Sequence, residues 1–390
     1  MKNIKSFSYK QCVKFIPHEI FQLNTELKCP SPIYFGHDIE EQFIEKLKEH
    51  ESDQVFFLTE EPVFEFCGKP LYEKIKKNIQ VELEFVPPGE SCKYFSILEE
   101  ICENLIKKGI SKKSILIAFG GGTVGNIVGM VAGLIYRGIR FIEIPTTMTA
   151  QTDSTLSNKQ AINGRTGKNH FGFYYSPILI WTDTKYLETE PLISKSCGVI
   201  EGIKNGLISN LNFLDYLEET INPQLSYSPS QLFELTYKII LSKLEIIRKD
   251  PSEKHYGIIL EYGHTFGHAI EWLQQGKMSH GEAVSFGMKI EAHISQTLGL
   301  ISDKDVDRHY FLIEKKLGFT RPLPETLTVE NLLFAISSDN KKTGGAIRFV
   351  LLEKMGKCYN PEGDFLVSVD AELVKKSVHT FMSRNRKILR

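Results

Sequence analysis

Short apolar runs alternate with amphipathic stretches through the first half of the chain. Five runs rich in β-branched and aromatic residues predict strands, at 54–59, 81–86, 114–119, 140–145 and 178–182. Between them, stretches such as 39–50 and 95–108 repeat apolar residues at the helical period of about 3.6 residues. Alternating strands and helices are typical of a parallel sheet covered by helices on both faces. The first half is therefore predicted to be an α/β domain.

The second half has a different pattern, dominated by long helical periods. Apolar residues recur at helical spacing in 197–210, 228–248, 257–274, 281–297 and 303–317. A strand-like run comes only at 347–352. A chain of 390 residues has room for two domains at about 150 residues each. We expect an α/β domain over 1–186 and a mostly α-helical domain over 187–390.

Charge and cysteine content narrow the class of protein. Lys and Arg number 47 and Asp and Glu number 48, so no global basic field attracts nucleic acid or an anionic membrane. The 7 cysteines form no CxxC pair, which indicates reduced thiols rather than a zinc ribbon or a disulfide framework. The opening residues MKNIKSFSYK lack the apolar core of a signal peptide. We therefore expect a cytoplasmic protein without a nucleic-acid or membrane partner.

One uncharged segment is long enough to span a membrane. Between Lys113 and Arg137 lie 23 uncharged residues, in which Gly125, Gly129 and Gly133 repeat at GxxxG spacing. A strand-like half of this segment meets a helix-like half at a triple glycine, and the chain offers no second hydrophobic span. We expect a glycine-faced helix that packs tightly on a sheet.

The triple glycine also opens a nucleotide-binding motif. Residues 120–125 read GGGTVG and match GxGxxG directly after an apolar run and before a helical pattern. Glycines let the backbone approach a pyrophosphate, and the helix N-terminus offers unpaired N–H groups to it. This context favours a Rossmann-like site. The ribose carboxylate stays open, because Glu143 has the usual spacing of about 20 residues, whereas Glu60 and Glu61 directly follow the strand 54–59.

A series of polar or small residues in the second half suggests a metal site. Spacings of 4, 3, 4 and 3 predict one stripe along a helix, formed by Gly257, Glu261, His264, His268 and Glu271. His280 comes far enough along the chain for this helix to end, turn and be followed by a second helix that runs back beside it. Two histidines with a carboxylate are a typical ligand set of a catalytic zinc site. His264 and His268 are the candidate pair of metal ligands by local spacing. The alternative is that the histidines are structural core residues, each with its own hydrogen-bond partner. Spacing alone does not single out Glu201 and Lys204, which could form an ordinary surface ion pair.

A basic and polar cluster surrounds the predicted strand 140–145. Asp153, Lys159, Lys168 and Asn169 follow the strand, and Arg137 and Arg140 stand at its start. The segment 158–169 is predicted to be a loop rich in glycine and asparagine, which suits a phosphate cradle. Solvated surface charge is the alternative interpretation.

Nine ordered motifs resemble the dehydroquinate synthase superfamily of sugar-phosphate cyclases, from about residue 54 to residue 352. They are PGESCK (88–93), GGGTVGN (120–126), YRGIRFIEIPTT (136–147), DSTLSNK (153–159), GKN (167–169), EGIK (201–204), GHTFGHAIE (263–271), HGEAVSFGM (280–288) and DNKK (339–342). The family fold is an N-terminal Rossmann-like domain with a parallel sheet followed by a mostly α-helical domain. The resemblance implies NAD as a catalytic cofactor and one divalent metal ion, zinc or cobalt.

The resemblance also implies roles for individual residues. Glu201, His264 and His280 match the metal ligands, which moves His268 to the substrate. NAD-binding positions are matched by Glu60, Glu90, Lys93, Gly120, Gly121, Gly122, Asn126, Thr146, Thr147, Lys168 and Thr182. Substrate, phosphate and catalytic positions are matched by Asp153, Lys159, Asn169, Lys204, Lys243, His268 and Lys341. Arg137 matches an arginine that reaches into the neighbouring subunit's site, so a homodimer is implied.

Two departures from the family pattern concern the substrate. Dehydroquinate synthases carry an arginine and an asparagine where this sequence has Gly257 and Glu261, and that arginine serves the substrate carboxylate. The run GIILEYGHTFGHAIE is similar to a branch of the family that cyclises glucose 6-phosphate, which has no carboxylate. We therefore expect glucose 6-phosphate as the substrate, with Glu261 as a candidate proton shuttle. Dehydroquinate synthase itself, with Lys243 serving the carboxylate, and a metal-dependent polyol dehydrogenase are the alternatives.

Overall fold

The computed structural model describes residues 4–8, 18–24, 31–165, 167–336 and 347–387. Lys341 and the rest of the DNKK motif lie outside the described residues. The chain divides into two compact units, Met1–Pro191 with Tyr227–Ile240, and Leu192–Ser226 with Leu241–Arg390. The expected boundary after residue 186 falls inside the 3-10 helix Thr184–Glu188. The sequence gives no sign that 227–240 belongs with the first unit, because a helical period does not reveal which core a helix packs against.

The strands of the described residues are short, and most belong to the first unit. They are β1 (Ile4–Ser8), β2 (Ile20–Asn24), β3 (Ile33–Gly36), β4 (Val55–Thr59), β5 (Val81–Phe85), β6 (Ile115–Gly120), β7 (Arg140–Pro145), β8 (Lys159–Ile162), β9 (Phe171–Tyr174), β10 (Leu179–Asp183), β11 (Arg348–Phe349), β12 (Leu352–Lys354), β13 (Lys357–Cys358) and β14 (Val367–Ser368).

The first unit is built around one large, mostly parallel sheet. Within the described residues its strand order is β1-β2-β3-β10-β7-β6-β4-β5, and only the pair β2–β3 is antiparallel. The five strands predicted from the sequence are all present, each within one residue of its expected bounds. The predicted α/β class is confirmed, and the strands β1, β2 and β3 of this sheet are additions to the five predicted ones.

Alternate residues of the central strands fill two separate cores. Phe57 and Phe119 belong to the core on one face, whereas Phe56 and Leu116 belong to the core on the other. Because successive side chains of a strand point to opposite faces, strands buried on both faces read as continuous apolar runs. This explains why β4 and β6 are recognisable in the sequence as unbroken hydrophobic segments.

Helices cover this sheet and build most of the second unit. Within the described residues they are α1 (Glu40–Lys48), α2 (Glu61–Val63), α3 (Lys69–Lys76), α4 (Phe95–Lys107), α5 (Gly122–Leu134), α6 (Met148–Thr152), α7 (Leu192–Ser209), α8 (Leu211–Thr220), α9 (Pro229–Lys249), α10 (His264–Gln274), α11 (His280–Thr297), α12 (Asp303–Tyr310), α13 (Val329–Ile336) and α14 (Ala371–Lys387). Among the described residues, none of these helices has both the length and the apolar character needed to cross a membrane.

The glycine face of α5 is closely packed, as the sequence predicts. A Cβ atom on Gly129 would lie 2.2 Å from the side-chain oxygen of Gln160, and one on Gly133 would lie 2.3 Å from the ring of Phe173. Gln160 is on β8 and Phe173 is on β9, and these two strands pair antiparallel as a hairpin. Small residues at this helical spacing therefore let α5 lie directly on the hairpin.

The hairpin corrects the prediction of a continuous loop over 158–169. Lys159 is the first residue of β8 and pairs with Tyr174 of β9, which leaves 163–170 as the connection. Gln160 and Ile162 are buried, at 3% and 0% exposure. The contact with α5 stabilises these strands, and a tertiary contact of this kind cannot be recognised from local composition.

In the second unit, α10 and α11 approach each other at backbone distance. A Cβ atom on Gly287 of α11 would lie 1.9 Å from the carbonyl oxygen of Gly263, the residue before α10. One on Gly267 would lie 3.1 Å from the Val284 side chain. Glycine at these positions therefore permits the close crossing that places the first residues of both helices near each other.

Candidate nucleotide and metal sites

The parallel strands bring several expected cofactor residues to one edge of the first unit's sheet. β4, β6 and β7 are neighbours, and all run in the same direction. Glu60, the glycines after β6 and the pair Thr146–Thr147 therefore leave the sheet at the same edge, where α/β proteins bind ligands. The Thr146 N–H donates to the carbonyl of Gly120 at 2.9 Å, which ties the two turns together.

The glycine turn requires its glycines. A Cβ atom on Gly120 would lie 2.6 Å from Val124, and one on Gly122 would lie 2.8 Å from the Ser154 hydroxyl oxygen. The cap residue Gly121 has no side chain to cover the first N–H groups of α5. An uncapped helix N-terminus after a tight glycine turn can bind a pyrophosphate.

Glu60 and Glu143 are the two candidates for the carboxylate that binds the ribose, and they differ in how deeply they are buried. Glu143 lies within β7 beneath α5, is 4% exposed, and has one oxygen 3.3 Å from where a Gly125 Cβ atom would be. Glu60 stands at the end of β4, where its Oε1 accepts a hydrogen bond from Gly89 N–H at 3.0 Å. Burial raises the pKa of Glu60. The usual spacing rule suggests Glu143 as the ribose carboxylate. Glu143 does not suit that role here, because its side chain is buried between the sheet and α5.

Two loops meet beside this edge and join four of the expected residues. Lys93 Nζ donates to Asn169 Oδ1 at 2.5 Å, and Lys168 Nζ lies 3.7 Å from Glu90 Oε1. The side chain of Asn163 connects the two loops. Its Nδ2 donates to Glu90 at 3.0 Å, and its Oδ1 accepts from Asn169 N–H at 3.0 Å. Sequence reasoning did not select Asn163, although it stands in the glycine- and asparagine-rich segment.

Other expected residues of the first unit have structural contacts or lie apart. Asn126 donates to Gly122 O and accepts from Ala161 N–H, so its side chain joins α5 to β8. Thr147 caps α6 by accepting from Ala150 N–H. Thr182 is fully buried within β10. Asp153 closes α6, next to the Ser154 that contacts the turn.

In the second unit, three expected metal ligands come together. Glu201 of α7, His264 of α10 and His280 of α11 each offer a donor atom, and these atoms lie within 4.8 Å of one another. His264 Nε2 is 3.8 Å and His280 Nε2 is 3.4 Å from Glu201 Oε1. His268 is exposed and stands outside this triangle, with its ring centre 5.3 Å from that of His264. The local His264–His268 pairing is therefore not the one that the structure assembles.

Lys204 sets the electrostatics of this triangle. Its Nζ lies 2.5 Å from Glu201 Oε2, and both side chains are almost completely buried. Burial would raise the pKa of Glu201, but the charge of Lys204 and the neighbouring His280 imidazole hold it well below its usual range. Burial and the charge of Lys204 lower the pKa of His264 to about 3. Glu201 is thus a carboxylate and His264 a neutral imidazole, the forms that bind a metal ion.

The predicted helical stripe from Gly257 to Glu271 is interrupted. Residues Tyr256–Glu261 form a 3-10 helix, and Gly263 has a left-handed backbone with φ of 79°. α10 begins only at His264. Because a 3-10 helix has three residues per turn, Gly257 and Glu261 do not share a face. The prediction of one continuous helix over 257–274 is wrong, since a left-handed glycine ends one helix and starts another.

The surroundings of Gly257 and Glu261 are acidic. The Gly257 N–H donates to Asp250 Oδ2 at 3.0 Å, and a Gly257 Cβ atom would lie 3.1 Å from the Glu253 side chain. The charge of Glu261 acts on His264 and raises its pKa, opposing the larger effect of burial. Lys243, the cation that could replace a missing arginine, is buried on α9 next to Ser242, whose hydroxyl accepts from Asn205 of α7 at 3.1 Å.

Comparison with known proteins identifies relatives along most of the chain. Residues 84–195 match the family model described as 3-dehydroquinate synthase N-terminal, and residues 198–342 match 3-dehydroquinate synthase C-terminal. A 2-deoxy-scyllo-inosose synthase of Streptomyces kanamyceticus is 34% identical over 349 residues, covering 88% of this chain and 89% of the relative. A 3-dehydroquinate synthase of Nitrosococcus oceani is 34% identical over 348 residues, covering 89% and 95%.

A solved structure extends the similarity to three dimensions. A crystal structure of 2-deoxy-scyllo-inosose synthase complexed with carbaglucose-6-phosphate, NAD+ and Co2+ is 32% identical and has a TM-score of 0.84. The alignment covers 90% of this chain and 98% of that one. Both domains of the relative therefore have counterparts here.

Proposed function

Because the chain belongs to the 3-dehydroquinate synthase family of sugar-phosphate cyclases, we propose that it converts glucose 6-phosphate to 2-deoxy-scyllo-inosose and phosphate. The route consists of transient oxidation at C4, elimination of phosphate, re-reduction and intramolecular aldol closure. A 2-deoxy-scyllo-inosose synthase and a 3-dehydroquinate synthase are both 34% identical to this chain. Overall identity therefore does not choose between glucose 6-phosphate and the seven-carbon keto-acid phosphate of dehydroquinate synthase. The choice must come from individual residues.

The acidic surroundings of Gly257 carry the proposal. In dehydroquinate synthases this position holds the arginine that serves the substrate carboxylate. Here Gly257 supplies no cation, its N–H donates to the Asp250 carboxylate, and the aliphatic part of Glu253 passes 3.1 Å from where a Cβ atom would stand. Glu261 adds a second negative charge beside His264. A carboxylated substrate would lose its counter-charge and meet carboxylates instead, which is unfavourable in a poorly solvated site. A neutral polyol can donate hydroxyl hydrogen bonds to the same carboxylates.

The donor set fits a divalent metal ion. Glu201 Oε1 is enclosed between the two imidazoles and has no hydrogen-bond partner among the described residues. An unsatisfied buried carboxylate facing two nitrogen donors is the arrangement of a three-ligand catalytic site, which leaves positions open for substrate oxygens. Zinc and cobalt both suit this set.

The turn after β6 fits NAD. Its uncapped α5 N-terminus would hold the pyrophosphate, and Glu60 at the end of β4 would bind the adenosine ribose hydroxyls. A carboxylate at this position repels a 2′-phosphate, so NADP should be a poor substitute. When bound, NAD supplies a hydride acceptor that is regenerated in each cycle, and the divalent ion polarises the hydroxyl that is oxidised.

The chain's own residues hold the substrate and move its protons. Lys204, whose Nζ forms an ion pair with Glu201, can donate to a substrate hydroxyl as well. Glu261 can accept a hydroxyl proton, and the exposed ring of His268 can contact the phosphate. Lys159, the first residue of β8, and Asn169, in the connection between β8 and β9, are further candidates for the phosphate. Cationic groups around a leaving phosphate stabilise its developing charge.

A homodimer is part of the proposal, with Arg137 completing the partner's site. Tyr136 and Arg137 both have left-handed backbones, with φ of 52° and 68°. Such conformations are costly for residues other than glycine, and they cluster at functional sites. This strain supports a specific role for the segment that presents Arg137.

Phosphate release from purified protein tests the substrate. The protein is incubated with NAD and Co2+ or Zn2+, and then with glucose 6-phosphate or with the seven-carbon keto-acid phosphate. We expect phosphate from glucose 6-phosphate only, without accumulation of NADH. Phosphate from the keto-acid phosphate alone would replace the proposal with dehydroquinate synthase, and stoichiometric NADH would replace it with a polyol dehydrogenase.

The variant Glu261→Gln tests the proposed role of Glu261 in proton transfer. It keeps the size of the side chain and removes its charge, so the fold and metal content should be retained. Turnover of glucose 6-phosphate should fall by about 100-fold or more, the usual contribution of a positioned proton-transfer group. Unchanged turnover would exclude Glu261 from the chemistry.

A further inference from the structure

His280 has two different acidic neighbours, one for each ring nitrogen. Its Nε2 faces Glu201 Oε1 at 3.4 Å, inside the donor triangle. Its Nδ1 lies 3.1 Å from Glu271 Oε2. Glu271 is the eighth residue of α10, the helix that begins with His264, and it is 5% exposed. One carboxylate thus belongs to the triangle, and the other stands behind the imidazole.

We propose that Glu271 is a positioning residue for the metal ligand His280. By accepting the Nδ1 hydrogen, Glu271 fixes the tautomer in which Nε2 carries the lone pair, and it orients the ring toward Glu201. A carboxylate behind a histidine also increases the electron density that the imidazole donates to a metal ion. The proposal rests on the metal centre of the proposed function.

The two histidines of the triangle differ in what holds them. His264 Nδ1 faces the carbonyl oxygen of Tyr262 at 3.1 Å, a neutral acceptor two residues away on the same chain segment. The His264 side chain is 11% exposed, whereas that of His280 is 34% exposed. Surrounding atoms therefore confine His264, while His280 depends on Glu271 for its orientation.

The position of His280 in its helix strengthens this dependence. His280 is the first residue of α11, and the preceding Ser279 caps the helix in a capping box with Glu282. These hydrogen bonds fix the backbone of His280 and leave its side-chain rotation free. The described contact that fixes the ring on the side away from the triangle comes from Glu271.

Metal binding to the whole metal-free chain tests this role without any turnover. The protein is titrated with Co2+ in competition with a coloured chelator, and the visible absorption of the bound Co2+ is recorded. Glu271→Gln should bind Co2+ about 10- to 100-fold more weakly than the wild type and shift the absorption bands. Glu282→Gln is the matched control, because it removes a carboxylate from the start of α11 without touching the imidazole. It should retain the wild-type Co2+ affinity and spectrum.

The outcomes distinguish the proposal from its premises. Wild-type affinity and an unchanged spectrum in Glu271→Gln would overturn the positioning role. An equal loss in Glu282→Gln would do the same, since it would assign the effect to helix stability. If the amide variant does not fold, Glu271→Asp keeps the charge but withdraws it from Nδ1, and it must also weaken Co2+ binding. A wild-type chain that binds no Co2+ would instead refute the metal centre itself.

Discussion

Replacement of the buried Glu143 should make the first unit more stable at alkaline pH. Glu143 lies in β7 under α5, and its Oε2 has no hydrogen-bond partner among the described residues. The side-chain oxygen of Gln160 is likewise enclosed and without a partner among the described residues. Glu143→Gln keeps the size of the side chain and offers an amide donor to that oxygen. The variant should therefore pack as the wild type does.

The magnitude follows from the pKa of Glu143. A glutamate has a reference pKa of 4.5, and burial raises the pKa of Glu143 to about 8. Between these values the folded protein holds a proton that the unfolded chain has released, so the free energy of unfolding falls as pH rises. The fall is at most about 1.4 kcal/mol per pH unit and roughly 4 kcal/mol by pH 8. Glutamine does not titrate, so the variant lacks this component.

Chemical denaturation at pH 5, 6, 7 and 8 measures the effect. The free energy of unfolding of Glu143→Gln minus that of the wild type should increase steadily over this range. Glu82→Gln, at an exposed position of β5, changes the net charge equally and should show no such trend. Parallel pH curves for the wild type and Glu143→Gln would contradict this prediction, because they would mean that Glu143 has the same pKa in the folded and unfolded chain.

Three further predictions concern the metal site, the helix pair and assembly. His280→Ala should abolish retention of Co2+ or Zn2+ on gel filtration, whereas His268→Ala, outside the triangle, should retain the ion; metal analysis of both variants decides. Gly287→Ala should lower the free energy of unfolding by about 3 kcal/mol or more, because its Cβ atom would lie 1.9 Å from Gly263 O, and denaturant titration measures the loss. Activity should fall on dilution as a homodimer dissociates; full activity in a monomer, shown by light scattering, would remove Arg137 from the partner's site.

The sheet was predictable because burial on both faces leaves an unmistakable pattern. β4 and β6 read as unbroken apolar runs, since each side of the sheet has its own core. The hairpin β8–β9 was not predicted. Its strands depend on contact with α5, and a contact of this kind leaves no period in a short polar segment.

The site was predictable only in part, and long-range contacts explain the remainder. The motif resemblance named Glu201, His264 and His280, which no local spacing connects. The stripe that joined Gly257 to Glu271 was wrong because Gly263 adopts a left-handed backbone, and a periodic pattern does not reveal such a break. The pairing of Glu271 with His280 arises from the crossing of two helices, so the order of residues could not indicate it.

The close contact between α5 and the β8–β9 hairpin limits how this chain can be recombined with relatives. Gly129 and Gly133 leave no room for larger side chains against Gln160 and Phe173, and Asn126 bonds the backbone of β8. A chimera whose crossover falls between 135 and 158 would combine a helix from one parent with a hairpin from another. Such hybrids should express poorly unless both parents share these contact residues. Segments 122–134 and 159–174 are best inherited together.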